Sequence, residues 1–137
     1  MEDLSYPRVK TFFFLFIFIL SFSKANSENF KFVKIADLNN PWGSSFLNND
    51  EMIITEKSGL IKIVNIINNQ VNDVKHNLNF LEDGQGGLLD ILHQENKVWI
   101  SYTENRGNRK TSTSIALANL DKKNLVFKNI FQANPPI

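Results

Sequence analysis

An all-β fold of short antiparallel strands behind an export signal is predicted by three features of this 137-residue chain. One apolar run lies near the N-terminus, apolar and polar residues alternate after it, and turn residues interrupt the alternation at short intervals.

The apolar run is Thr11 to Phe22, with Arg8 and Lys10 before it and the small residues Ser23 and Ala25 after it. It is shorter than the roughly 18 to 20 apolar residues that cross a bilayer core, and Ser23-Lys24-Ala25 has small residues where a signal peptidase reads them. Residues 1–25 therefore read as a signal peptide cleaved after Ala25. The alternative is an uncleaved N-terminal anchor, since Glu2 and Asp3 weaken the positive leader. In either case the remainder leaves the cytoplasm, and no stable membrane span is expected once the signal is removed.

The strands follow in order. Phe30 to Leu38 alternates, with Phe30, Phe32 and Ile35 toward one side, and is expected as the first. Trp42 to Leu47 is next, and Asn48-Asn49-Asp50 turns the chain into Glu51 to Glu56. Lys57-Ser58-Gly59 leads to Leu60 to Asn65, and Gln70 to Val74 precedes a long loop from Lys75 to Gln85. Gly87 to His93 turns at Gln94-Glu95-Asn96 into Lys97 to Thr103. A polar loop, Glu104 to Lys110, leads to Ser112 to Asn119, and Asp121-Lys122-Lys123 turns into Leu125 to Gln132. No segment sustains a helical period. Short strands joined by hairpins suit a sandwich, a barrel or a propeller, and periodicity alone does not choose among them.

Residues 26–137 hold twelve basic and twelve acidic side chains, a neutral balance. Nucleic acid and anionic membrane surfaces both require clustered Lys and Arg, so neither is an expected partner. Cysteine is absent, which rules out disulfides and thiolate zinc sites. The core has to stabilise the exported chain, alone or with further chain.

More specific are the words Leu38-Asn39-Asn40-Pro41-Trp42-Gly43, Phe46-Leu47 and Ile54-Thr55-Glu56-Lys57-Ser58-Gly59. They are followed by Gly84-Gln85-Gly86-Gly87-Leu88-Leu89-Asp90 and Val98-Trp99-Ile100-Ser101-Tyr102-Thr103. In this order and spacing they resemble the N-terminal part of the soluble pyrroloquinoline quinone-dependent aldose sugar dehydrogenases, the glucose/sorbosone dehydrogenase family, over roughly residues 35–135. Gly-Gln-Gly-Gly-Leu-Leu-Asp is the most specific of these words and Thr-Glu-x-x-Gly the least.

The resemblance implies a six-bladed β-propeller, with the quinone over the central channel, a calcium ion holding and polarising it, and an aldose above. A histidine base would take the proton of the anomeric hydroxyl while hydride passes to the quinone, and a periplasmic acceptor would collect the electrons. Residues 26–137 would form a partial propeller. A four-stranded blade takes about 40 to 45 residues, so about two blades are present and the chain reads as the truncated front of such a domain.

Carried over by position, Gln85 is the one expected site residue, a sugar ligand whose amide both donates and accepts. Taken without the resemblance, the same segment reads as a glycine-rich turn with a solvated glutamine. The family's catalytic histidine lies in a His-x-Gly-Gly motif that this sequence lacks, and the later arginine, lysine and calcium-ligand positions are missing with it. No catalytic or metal residue is therefore expected here, and the quinone contacts are unassigned.

His76, expected in a loop, and His93, at a strand end, read as surface residues. Trp42 reads as a core aromatic between blades. Asp90 and Glu56, near strand ends, read as partners of turns or backbone amides, and Lys122-Lys123 as a solvated turn. The functional expectation is an exported sugar dehydrogenase present in part and without its base; the alternatives are a non-catalytic propeller used as a binding module and an inactive gene remnant.

Overall fold

The computed structural model describes residues 30–137, so the expected signal segment lies outside the described residues. Lys34–Ile137 form one unit. It contains β1 (Pro41–Phe46), β2 (Glu51–Glu56), β3 (Leu60–Asn65), β4 (Val71–His76), β5 (Leu88–Gln94), β6 (Lys97–Asn105), β7 (Thr111–Asn119), β8 (Asn124–Leu125) and β9 (Lys128–Gln132). Among the described residues there is no helix, and hence none long and apolar enough to cross a membrane.

Two sheets result. The first has the order β1-β2-β3-β4, antiparallel throughout, with the two-residue β8 added in parallel beside β4. The second is antiparallel in the order β5-β6-β7-β9. Local chemistry sets the hairpins. The Asn48 side chain accepts from the Asp50 amide (2.8 Å) while Leu47 N–H donates to Glu51 O (2.9 Å). At the next hairpin, Gly59 N–H donates to Glu56 O (3.0 Å).

Period-two alternation sends Ile53, Ile61, Ile63 and Val74 of the first sheet into one core with Leu88, Ile91, Val98, Ile100 and Tyr102 of the second. Each fully buried aliphatic side chain of this set contributes on the order of 1.5 to 3 kcal/mol. Packing is closest between β1 and β5. A Cβ on Gly43 would lie 2.7 Å from Asp90 Cα and 2.9 Å from the Ile91 nitrogen, so only glycine permits this backbone contact. Beside it the buried Thr55 hydroxyl donates to Leu89 O (2.5 Å) and accepts from Gly43 N–H (3.0 Å).

Four expectations about the strands are corrected. Residues 30–40 form no strand. Alternation makes a strand only where a partner supplies a ladder, and the contacts here are isolated ones, Asn39 N–H to Glu56 Oε1 (2.7 Å) and Lys57 N–H to Asn40 O (3.1 Å). Trp42 is not a core aromatic. A register shift between Pro41 and Gly43 takes it out of the ladder, and it is 48% exposed. Strand β4 runs on to His76, so this histidine closes a strand and the loop after it is shorter than expected.

Finally, the segment Leu125 to Gln132 is two strands. Leu125 pairs beside β4, Phe127 enters the core, and only Lys128–Gln132 joins β7. The Asn77 side chain holds the crossing at both backbone groups, accepting from Phe127 N–H (2.8 Å) and donating to Phe127 O (3.1 Å).

A polar cluster ties β6, β7 and β9 together. The carboxylate of Glu104 accepts from Ser114 Oγ (2.6 Å), Asn129 Nδ2 (3.0 Å) and Gln132 Nε2 (2.7 Å). The buried Tyr102 hydroxyl donates to Asn129 Oδ1 (2.7 Å). Burial pushes the Tyr102 phenol above its ordinary range, an effect the Asn129 hydrogen bond partly opposes.

Two outcomes are expected. Gly43→Ala forces β1 from β5 and costs about 2 to 3 kcal/mol, whereas Ile67→Ala, at a 72% exposed side chain, stays within about 0.5 kcal/mol; urea midpoints decide. Because the folded pKa of Tyr102 is raised, its contribution is complete below the unfolded value near 10 and is lost as pH rises through the folded one. Tyr102→Phe therefore flattens the alkaline fall in stability. The substitution also costs about 1 kcal/mol at neutral pH through the lost hydrogen bond, and the pH dependence of the urea midpoint measures both effects.

Candidate functional site

The segment between β4 and β5, residues 77–87, carries the glycine-rich word and is fastened to both sheets. On the first sheet, the ring of Phe80 lies where a Cβ on Gly59 would sit, 1.9 Å from Phe80 Cζ, so the β2–β3 turn and this loop meet face to face. On the second sheet, Leu81 N–H donates to Thr103 O (3.0 Å) and Thr103 N–H to Gly87 O (2.9 Å). Within the loop Gly86 N–H closes a turn onto Asp83 O (2.6 Å), with Gly84 in the left-handed region at φ +52°.

Lys57, at the start of the β2–β3 turn, contacts the glycine-rich end of this loop on both sides of Gln85. Its ammonium group donates to Gly84 O and its own carbonyl accepts from Leu88 N–H (3.2 Å). A Cβ at Gly87, where φ is +146°, would lie 2.2 Å from Lys57 O, so glycine is required for the approach.

Gln85 is exposed at the tip of this loop and lines an open depression of about 420 Å³. Asp83, Gly86, Leu89, Thr103, Ser112 and Thr113 share the lining with it, together with Pro135 and Ile137. The surroundings are hydroxyls, an amide, a carboxylate and a few apolar surfaces. Such a set hydrogen-bonds a polyhydroxylated molecule through paired donors and acceptors.

The structure places the other singled-out residues elsewhere. His76 is partly buried: Nε2 is 2.8 Å from Gly59 O and Nδ1 accepts from Leu78 N–H (3.2 Å). The carbonyl fixes Nε2 as the donor, so both ring nitrogens serve the fold. His93 is also partly buried, with Nδ1 3.1 Å from Phe46 O. The expectation that both are surface residues is thus corrected, and neither lines the depression.

Asp90 accepts from the Ile91 amide (2.9 Å) at the irregular stretch of β5, as expected of a residue paired with the backbone. Glu56 is 1% exposed and accepts from Asn39 N–H, with its second oxygen unpartnered among the described residues. Among the described residues no three His, Asp or Glu side chains converge on a point where a metal ion would sit.

Lys57 and Phe80 were not singled out in the sequence. Nothing local distinguishes a lysine that opens a hairpin turn from a solvated one; its partner lies 27 residues along the chain.

The sequence has no match among the curated proteins. Solved structures do match. A glucose dehydrogenase crystal structure is 25% identical with a TM-score of 0.67, the match covering 73% of this chain and 32% of that one. The apo-form of the soluble aldose sugar dehydrogenase from Escherichia coli is 25% identical with a TM-score of 0.66, covering 72% of this chain and 31% of that one. The PQQ-bound aldose sugar dehydrogenase from Streptomyces coelicolor, at 19% identity, shares the fold, with a TM-score of 0.62 over 72% of this chain and 32% of that one. The chain thus spans about a third of the length of the structures it matches.

Each sheet has the four-stranded antiparallel form of a propeller blade, the first with β8 added, so the described residues hold two blades of a partial β-propeller. The sequence profile of the family described as Glucose / Sorbosone dehydrogenase matches residues 38–137, and this chain belongs to that family.

Proposed function

We propose that this chain provides part of the sugar-binding surface of an exported, quinone-dependent aldose dehydrogenase, and that Gln85 binds a sugar hydroxyl there. The observation that carries the reading is the placement of Gln85: an exposed amide on a glycine-bounded turn, fastened to both blades, at the rim of a depression lined with hydroxyls. A backbone held in this way presents the amide at little further entropic cost on binding.

The reaction proposed for the whole protein is oxidation of the anomeric CH–OH of an aldose. In such an enzyme pyrroloquinoline quinone supplies the hydride acceptor, calcium polarises it, and a periplasmic acceptor takes the electrons onward. The residues described fit the sugar better than the cofactor. The carboxylates of the quinone call for cations, and the two beside the loop are engaged: Lys57 on Gly84 O, and Arg106 on Ser112 Oγ (3.1 Å) with Glu104 4.0 Å away. Nor does either histidine line the depression, as a base would have to. The contribution of this chain is therefore to bind and orient the sugar.

Export rests on the apolar run Thr11 to Phe22 and the small residues after it, and the compartment proposed is periplasmic or extracellular.

The test is to sequence the gene past the codon for Ile137. A frame continuing into a His-x-Gly-Gly motif is expected, and the protein it encodes should oxidise aldoses in a dye-linked assay with quinone and calcium. Gln85→Ala in that protein should lower kcat/KM about tenfold through KM. The 137-residue polypeptide alone should give no turnover. A continuing frame without the motif would overturn the enzymatic reading and favour a binding module.

A further inference from the structure

Gln85 lies in the segment Gly84 to Gly87, whose two ends both rest on one residue of the neighbouring blade. We infer that Lys57 is a positioning residue for the sugar site: by holding Gly84 and Leu88 together it fixes the turn that aims Gln85 into the depression. The inference rests on the reading of Gln85 as a sugar ligand and adds to it that blade one sets the geometry of a ligand carried between the blades.

Three contacts carry this. The Lys57 ammonium donates to Gly84 O, just before Gln85. The Lys57 carbonyl accepts from Leu88 N–H (3.2 Å), just after the glycine pair. Between these points its stem lies against Gly87, where an added Cβ would come 2.9 Å from Lys57 Cγ. One residue therefore spans the four-residue segment Gly84 to Gly87 from end to end.

The loop needs such a hold. Gly84, Gly86 and Gly87 remove the side-chain restraints that would otherwise limit the backbone, and a Cβ at Gly84 would meet no atom within 4 Å, so neighbouring side chains do not confine this end. The internal hydrogen bond, Gly86 N–H to Asp83 O, closes the turn without tying it to a sheet. At the Gly84 end the tie is the Lys57 ammonium group.

Lysine itself is held in register. Its amide donates to Asn40 O (3.1 Å), and the hairpin that carries it is braced by Phe80 over Gly59. The clamp belongs to the blade-to-blade contact and moves with it. A substitution that spares the stem and removes the ammonium donor, Lys57→Met, isolates its effect.

The experiment is amide hydrogen exchange by NMR on the 137-residue chain, comparing wild type, Lys57→Met and Lys57→Arg, followed by titration with glucose read at the Gln85 side-chain amide. The expected result is at least tenfold faster exchange at Gly86 in Lys57→Met, with Ile100 in β6 unchanged and Lys57→Arg within twofold of wild type. Glucose should shift the Gln85 amide in wild type and Lys57→Arg, with an apparent affinity several-fold weaker in Lys57→Met.

Unchanged exchange at Gly86 in Lys57→Met would overturn the clamp, and so would equal acceleration at Gly86 and Ile100, which marks general destabilisation. If glucose leaves the Gln85 amide unmoved in wild type, the sugar reading fails and the positioning role toward sugar fails with it. The exchange data then still decide whether Lys57 holds the loop.

Discussion

The contact between β1 and β5 governs this structure. Two sheets approach until the backbone at Gly43 touches the backbone at Asp90, and the Thr55 hydroxyl bridges the gap to Leu89 O. Neither device works without the other. A side chain at position 43 would hold the strands apart, and without the threonine the Leu89 carbonyl would lose its cross-sheet donor. In the same pair of sheets the β2–β3 turn of one meets the loop that enters the other.

Several polar side chains away from the depression are committed to architecture. Glu104 receives donors from three side chains, His76 uses both ring nitrogens, and Asn77 clamps the chain at Phe127. Groups so occupied are poor catalysts, since a base needs an open lone pair directed at its substrate. By contrast, the exposed polar residues at the depression, Gln85 and Asp83 among them, stand on a backbone held by hydrogen bonds. The depression thus has a firm backbone below and available side chains above.

What was legible in the sequence is what depends on neighbours along the chain. Asn48-Asn49-Asp50 and Lys57-Ser58-Gly59 are readable turns because the asparagine side chain and the glycine act within three residues of themselves. The strands β2, β3, β6 and β7 read correctly within a residue or two for the same reason, as alternation is local. Phe30 to Leu38 alternates equally well and forms no strand, since pairing is decided by a partner that alternation does not reveal. Trp42 is displaced by a register shift, and the break at Val126 and Phe127 is dictated by β4 and Asn77, far earlier in the chain. Gln85 is named only by its word in the family pattern. The contacts of Lys57 arise only once two sheets have met.

The crossing of β8 bears on how the molecule comes to be folded at all. The first sheet takes its outermost pairing from residues 124 and 125, and Asn77 meets Phe127 across fifty positions of chain. During synthesis the first four strands emerge and pair as hairpins, yet their outer edge stays open until most of the second sheet has left the ribosome. The outer edge of blade one is thus completed by a segment that follows three of the four strands of blade two.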